Sequence, residues 1–191
     1  MKKTILIFGL ISGTLSSLMM VATVPFLDKI GFDRGEYVGY TAIVLSFLLV
    51  FFGIRSYRDN VGHGQITFTK GFAIGIAITL ISCVFYVVTW EALYFTVLHD
   101  FMDKYAAYLV EKLKASGASA AAVQTQLQQL IRYKELYENP LINAAMTFIE
   151  PFPVGLVITL ISAAILRRKP QSQPGTIALA GGSAGDGPFL T

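Results

Sequence analysis

The chain has 191 residues, 54% of them in the set AVILMFWYC and only 14% Asp, Glu, Lys or Arg, with a mean hydropathy of +0.60. Soluble domains carry about 25% charged residues, so the scarcity of charge argues against an ordinary soluble enzyme. The net charge of +3 follows no basic stripe or binding motif, and nucleic acid is not an expected partner.

Residues 4–27 form an uncharged run of 24, about 36 Å as a helix and long enough for a hydrocarbon core of about 30 Å. The run exceeds a signal-peptide core and lacks an A-x-A-like site near Val24, so it reads as a retained first span. Residues 37–54 and 71–90 are uncharged runs of 18 and 20, the second and third spans. The fourth run, 151–166, has only 16 residues, so its helix is expected to begin near Leu141 and to carry Glu150 inside it. Pro151 and Pro153 predict a break or kink at Ile149 and Glu150. Continuous runs without polar alternation point to helices and not to a barrel wall. The expected fold is all-α: a polytopic membrane domain over residues 1–169 with spans at 4–27, 37–54, 71–90 and 141–166.

Cations set the expected orientation. Lys2 and Lys3, then Arg55, Arg58 and Lys70, then Arg167, Arg168 and Lys169 fall on one side of a four-span chain, while residues 91–150 hold five cations against seven anions. Short cationic flanks belong in the cytoplasm, which places both termini inside. Residues 170–191 are rich in Gly, Pro, Ser and Ala and read as a disordered cytoplasmic tail.

Residues 91–139 are the only sizeable polar stretch with helical periodicity. Tyr94, Leu98, Phe101, Tyr105, Leu109 and Leu113 recur at three and four, so the third span is expected to continue straight out as an amphipathic helix. Gly117 and Ser119 are the expected C′ and N-cap residues of a turn, followed by a second helix up to Pro140. The product is an extracytoplasmic hairpin. It reads either as a stiff connector or as a docking surface for an extracytoplasmic protein, because the stripe of Tyr94, Phe95, Phe101, Tyr105 and Tyr108 is wide for one partner helix.

Within a bilayer, small residues mark helix contacts. Gly9, Gly13 and Ser17 form one ridge; Gly75, Thr79 and Ser82 form a second, and Gly155, Thr159 and Ser162 a third. The last two ridges belong to a local similarity at an offset of 80, in which nine of the sixteen positions from Thr67 to Ser82 are repeated from Thr147 to Ser162. Opposite directions of travel would make these helices an inverted pair, read either as a tight interface or as the walls of a substrate path.

The ionisable candidates are few. Glu150, beside the proline break, and Glu91, after Trp90 at the end of the third span, form a candidate intramembrane or interfacial polar site. His99 and Asp103, four apart on an expected helix face, are weak metal ligands. Cys83 is the only cysteine and lies mid-span, and His63 lies in an expected turn. No nucleophile elbow, phosphate loop or zinc signature is present, and no cofactor is expected.

The segments FFGIRSYRDN at 51–60, DFMDKYAA at 100–107 and NPLINAAMTFIEPFPVG at 139–155 resemble the family of small bacterial membrane proteins catalogued as domain of unknown function (DUF) 4199. The resemblance covers residues 1–169. It implies a four-span inner-membrane protein with an outer helical segment, and it carries no catalytic residues. The first functional expectation is a non-enzymatic structural or accessory membrane protein, with a homo-oligomer among the expected partners. The alternative is a small transporter or channel component with a polar path between the third and fourth spans. A membrane enzyme would require Glu91, His99, Asp103 and Glu150 to converge.

Overall fold

The computed structural model describes residues 1–23 and 26–168. The expected tail at 170–191 lies outside them. Among the described residues the regular structure is eight helices: α1 (Lys2–Thr23), α2 (Leu27–Ile30), α3 (Phe32–Asn60), α4 (Phe68–Thr96), α5 (Phe101–Ala115), α6 (Ala120–Tyr137), α7 (Pro140–Ile149) and α8 (Pro151–Leu166). Four segments are long and apolar enough to cross a membrane: α1, α3, α4 and the pair α7–α8.

These helices differ in extent from the uncharged runs. The first was expected over 4–27; α1 is described over Lys2–Thr23, and α2 over Leu27–Ile30. The second was expected over 37–54 but extends from Phe32 to Asn60, and the third, expected over 71–90, extends from Phe68 to Thr96. Charged residues flanking a span are compatible with helix as long as they reach water, so charge-free length underestimates helix length. Thr67 caps α4 by accepting from the Lys70 N–H at 3.3 Å.

The straight continuation of the third span is corrected by the structure. The chain turns at Val97, where α4 ends, and α5 begins at Phe101. Neither Gly nor Pro marks the turn; it is set by packing, since the Phe101 ring meets Trp90 edge-on at 5.2 Å and so draws α5 back over the bundle.

The helices α3 and α4 form the central pair, with α1 packed along one side of it and α8 along the other. Gly9 faces Ile81 and Gly13 faces Phe85, so α1 runs parallel to α4; Gly53 faces Phe8 while Ser12 bonds to Ser46, so α3 runs antiparallel to α1. The core comprises Ile43, Phe47, Val50, Ile54 and Tyr57 of α3 with Ile74, Ile78 and Cys83 of α4 and Leu166 of α8. Ile66 and Arg168 exchange backbone hydrogen bonds at 3.1 and 2.9 Å, tying the α3–α4 connection to the end of α8. This termini end of the bundle is opposite the end that carries α5 and α6.

Outside this core the usual polarity is reversed. Leu18, Val84, Val88 and Ile165 are exposed, whereas Ser12, Ser46, Thr79, Thr159 and Ser162 are buried. Where apolar surface faces lipid, helices associate through close packing and hydrogen bonds. The Ser12 hydroxyl donates to the Ser46 carbonyl at 2.8 Å, and the Thr89 and Ser17 hydroxyls lie 2.7 Å apart.

The two similar segments meet. A methyl group at Gly75 would lie 2.7 Å from the Thr159 Cγ2, and one at Gly155 would lie 2.4 Å from the Thr79 Cγ2. The Thr79 and Thr159 hydroxyls are 3.1 Å apart. Each glycine thus receives the threonine methyl of the other helix, a reciprocal antiparallel contact that fills the space between α4 and α8.

Candidate functional site

At the hairpin end the helices separate around a cavity of about 580 Å³. Its walls come from α1 (Ser16, Met19, Met20), α3 (Glu36, Tyr40, Ile43), α4 (Tyr86, Trp90) and the α7–α8 junction (Met146, Thr147, Glu150), and its roof from α5 and α6 (Phe101, Tyr105, Tyr108, Leu130, Tyr137).

Glu150 is placed here by the prolines. Pro151 has no N–H to give to the Thr147 carbonyl, and the Glu150 N–H takes that acceptor at a long 3.4 Å, so α7 ends and α8 restarts around Glu150. Its carboxylate accepts from the Tyr86 hydroxyl at 3.1 Å and remains accessible to water. Glu36 lies one helical turn before Tyr40, on the same face of α3, and both line the cavity. Neither carboxylate has an ion-pair partner among the described residues. The nearby cation is already committed, because Lys112 Nζ lies 2.6 Å from Asp33 Oδ1 and donates also to the Tyr108 hydroxyl at 3.0 Å.

The two carboxylates act on the roof. Burial raises the Tyr105 phenol above its ordinary range, and the charge of Glu36 adds to the rise. Burial raises Tyr137 likewise, with the charge of Glu150 adding to it. Both hairpin tyrosines therefore stay protonated and can donate hydrogen bonds into the cavity.

The roof is fastened at three places. Phe32 sits among Phe101, Tyr105 and Tyr108, with ring centroids 5.8, 5.4 and 5.2 Å away. The Lys112–Asp33 pair joins α5 to α3. Asn143, which has no exposed surface, accepts from the Trp90 indole N–H at 3.0 Å and the Thr147 hydroxyl at 3.2 Å, and donates to the Tyr137 carbonyl at 3.1 Å. One amide thereby joins α4, α6 and α7.

Several sequence expectations change in this light. Glu91 does not share a site with Glu150. At 100° per residue it is turned by about 140° from Tyr86 and about 100° from Trp90, it does not line the cavity, and its buried Oε1 has no hydrogen-bond partner among the described residues. His99 lies in the turn before α5, so it shares no helix face with Asp103, which pairs with Lys134 at 2.6 Å. Among the described residues no three of His, Cys, Asp and Glu come together as a metal site, and the four residues named for an enzyme do not converge. Of the hairpin stripe, Phe101, Tyr105 and Tyr108 pack on Phe32 and line the cavity, while Phe95 is exposed. The proposed path between the third and fourth spans is closed where Thr79 and Thr159 meet, both fully buried.

Glu36 and Asn143 escaped the sequence reading. Glu36 stands just outside the uncharged run 37–54, yet its spacing to Tyr40 and Ile43 is that of one helix face. Asn143 lay in an apolar segment where a lone amide is a signal in itself, because a buried polar group needs partners.

A family model described as a protein of unknown function (DUF4199) matches residues 7–168. The chain belongs to this family. The matched stretch includes all the residues that line the cavity. No curated protein and no solved structure matches the chain.

Proposed function

We propose that this DUF4199 chain is an integral protein of a bacterial inner membrane, with both termini cytoplasmic, that binds a small ligand at the outer face beneath the hairpin. The bilayer assignment is supported by the apolar exterior and small or polar interior of the four span-length helices, an arrangement that would be unstable in water. The orientation is supported by the cationic flanks at the termini end. The observation that carries the ligand reading is the cavity of about 580 Å³, within the range of about 300–1,000 Å³ typical of small-molecule sites. A mere connector between two spans would have no need of a roof held by Asn143, Phe32 and Lys112. The expected transport path moves accordingly, from the closed α4–α8 contact to the space beneath α5.

The test uses the single cysteine. In a Cys83→Ser background, Met146→Cys places a thiol in the cavity wall, and Ser56→Cys places one at the termini end. A membrane-impermeant maleimide added to intact cells is expected to label position 146 and not position 56. The reverse pattern would overturn the orientation, and labelling of position 146 from neither side of the membrane would overturn the accessible cavity.

A further inference from the structure

The reading of the outer cavity as a ligand site leads to a ligand class, and the following rests on that reading. We propose that the cavity binds an organic cation with an aromatic or branched apolar body, for which Glu150 and Glu36 supply the counter-charge and Tyr40, Tyr86, Trp90 and Tyr105 the walls.

Charge is the first reason. Among the described residues the lining holds three carboxylates, Asp33, Glu36 and Glu150, against one ammonium, Lys112. The bond between Asp33 and Lys112 cancels one of each, leaving two uncompensated negative charges in a recess walled by apolar and aromatic groups. Both carboxylates still reach water, and a cation seated between them and the rings would pair charge that no described side chain neutralises. Among the described lining residues an anion would find only Lys112, already bound to Asp33.

The walls are the second reason. Ring faces attract cations through their quadrupoles, Trp most strongly, and they accept quaternary as well as protonated amines. Trp90 is held in place from two sides, by its bond to Asn143 and by its edge-on contact with Phe101 at 5.2 Å. Met19, Met20 and Met146 add an apolar lining that adapts to irregular shapes. A bare metal ion is disfavoured because no three ligating side chains converge among the described residues, whereas an organic cation draws part of its stabilisation from the rings.

Trp90 is the only tryptophan in the chain, so its fluorescence reports the site directly. Full-length protein in non-ionic detergent is titrated with tetraphenylphosphonium and, separately, with tetraphenylborate, which has nearly the same shape and the opposite charge. The cation is expected to give a saturable change in Trp90 emission, and the borate none. Glu150→Gln and Glu36→Gln should each raise the half-saturating concentration by about tenfold, the loss of one ion pair beside aromatic faces, each titration being read against that variant's own unliganded emission. Saturating tetraphenylphosphonium should also protect Met146→Cys from the maleimide. Equal responses to the two ions, or glutamine variants that bind like the parent, would overturn the cation assignment. If position 146 labels from outside but the cation neither protects it nor alters Trp90, the cation class falls and the cavity stands. Failure of position 146 to label at all removes the cavity reading itself.

Discussion

Midway along the bundle α4 meets α8 through glycines, with Gly75 under the Thr159 methyl and Gly155 under that of Thr79. Two turns further along, α4 presents Tyr86 and Trp90, and the helices stand around a cavity of about 580 Å³. The same helix therefore closes one half of the molecule and opens the other. Residue size sets the separation: small residues let backbones approach, and rings with fixed hydrogen-bond partners hold them apart. The proline break adds to the divergence, because α7 is freed from the direction of α8.

If close approach at the glycines holds the closed half together, filling that space is the most damaging change. Gly155→Val would place carbon against the Thr79 Cγ2 and against the Phe47 Cζ, which a single added methyl would approach to 2.9 Å. A loss of about 3 kcal/mol is expected, at the upper end of overpacking costs, read from unfolding in mixed micelles of increasing denaturing-detergent fraction. The milder Gly155→Ala should recover at least half of its own loss when combined with Thr79→Ser, which removes the clashing methyl. Full stability of Gly155→Val would mean that the two halves do not differ as described.

The closed half was largely legible in the sequence and the open half was not. Four uncharged runs announced four helices because burying charge in lipid is costly at every position of a run. The offset of 80 announced the α4–α8 contact because small residues at four-residue spacing have few uses other than close approach. Gly117, at φ +77°, and Ser119, accepting from the Ala122 N–H at 3.3 Å, formed the hairpin turn from local chemistry alone. The cavity depends instead on residues remote in sequence. Glu36 and Glu150 meet through the packing of α3 against α8, and the space they share is roofed because α5 folds back at Val97, where Phe101 meets Trp90 and Phe32, a tertiary preference that overrides the local period.

In the open half, the largest effect is expected at Asn143. Asn143→Leu removes the acceptor of the Trp90 N–H and the donor to the Tyr137 carbonyl, at a cost of about 2 kcal/mol for buried groups left unpaired. The distinguishing sign is local: Trp90 emission should move to the red as the roof loosens, while the Gly75 and Gly155 contacts hold. A loss of the whole bundle without an intermediate change at Trp90 would show that the two halves unfold as one unit.

Thr79→Val tests whether the closed half depends on shape or on hydrogen bonding. The substitution retains a branched side chain over Gly155 and deletes the hydroxyl paired with Thr159. Thr159 can redirect its proton to a carbonyl one turn earlier in its own helix, so the expected loss is about 0.6 kcal/mol, the average found for hydrogen bonds between membrane helices. A loss above about 2 kcal/mol, beyond the largest value of that kind, would give the hydroxyl pair the role assigned to the glycines.

The smallest effect belongs to the exposed tie between Lys112 and Asp33, which fastens the roof without burying either group. Its hydrogen bond to Asp33 holds the Lys112 ammonium above the ordinary lysine range. Because the folded value is the raised one, the contribution of the tie is fully present below the unfolded lysine pKa of about 10.4 and is lost as pH rises through the higher folded value. A spin-label distance between α3 and α5 should therefore be unchanged from pH 7 to pH 10. It should broaden in 1 M salt, where screening acts within about 3 Å, and Lys112→Ala should reproduce that broadening at low salt without changing detergent resistance of the bundle. If the distance in Lys112→Ala stays as narrow as in the parent, the roof is held by Phe32 and Asn143 alone, and the open half is as rigidly built as the closed one.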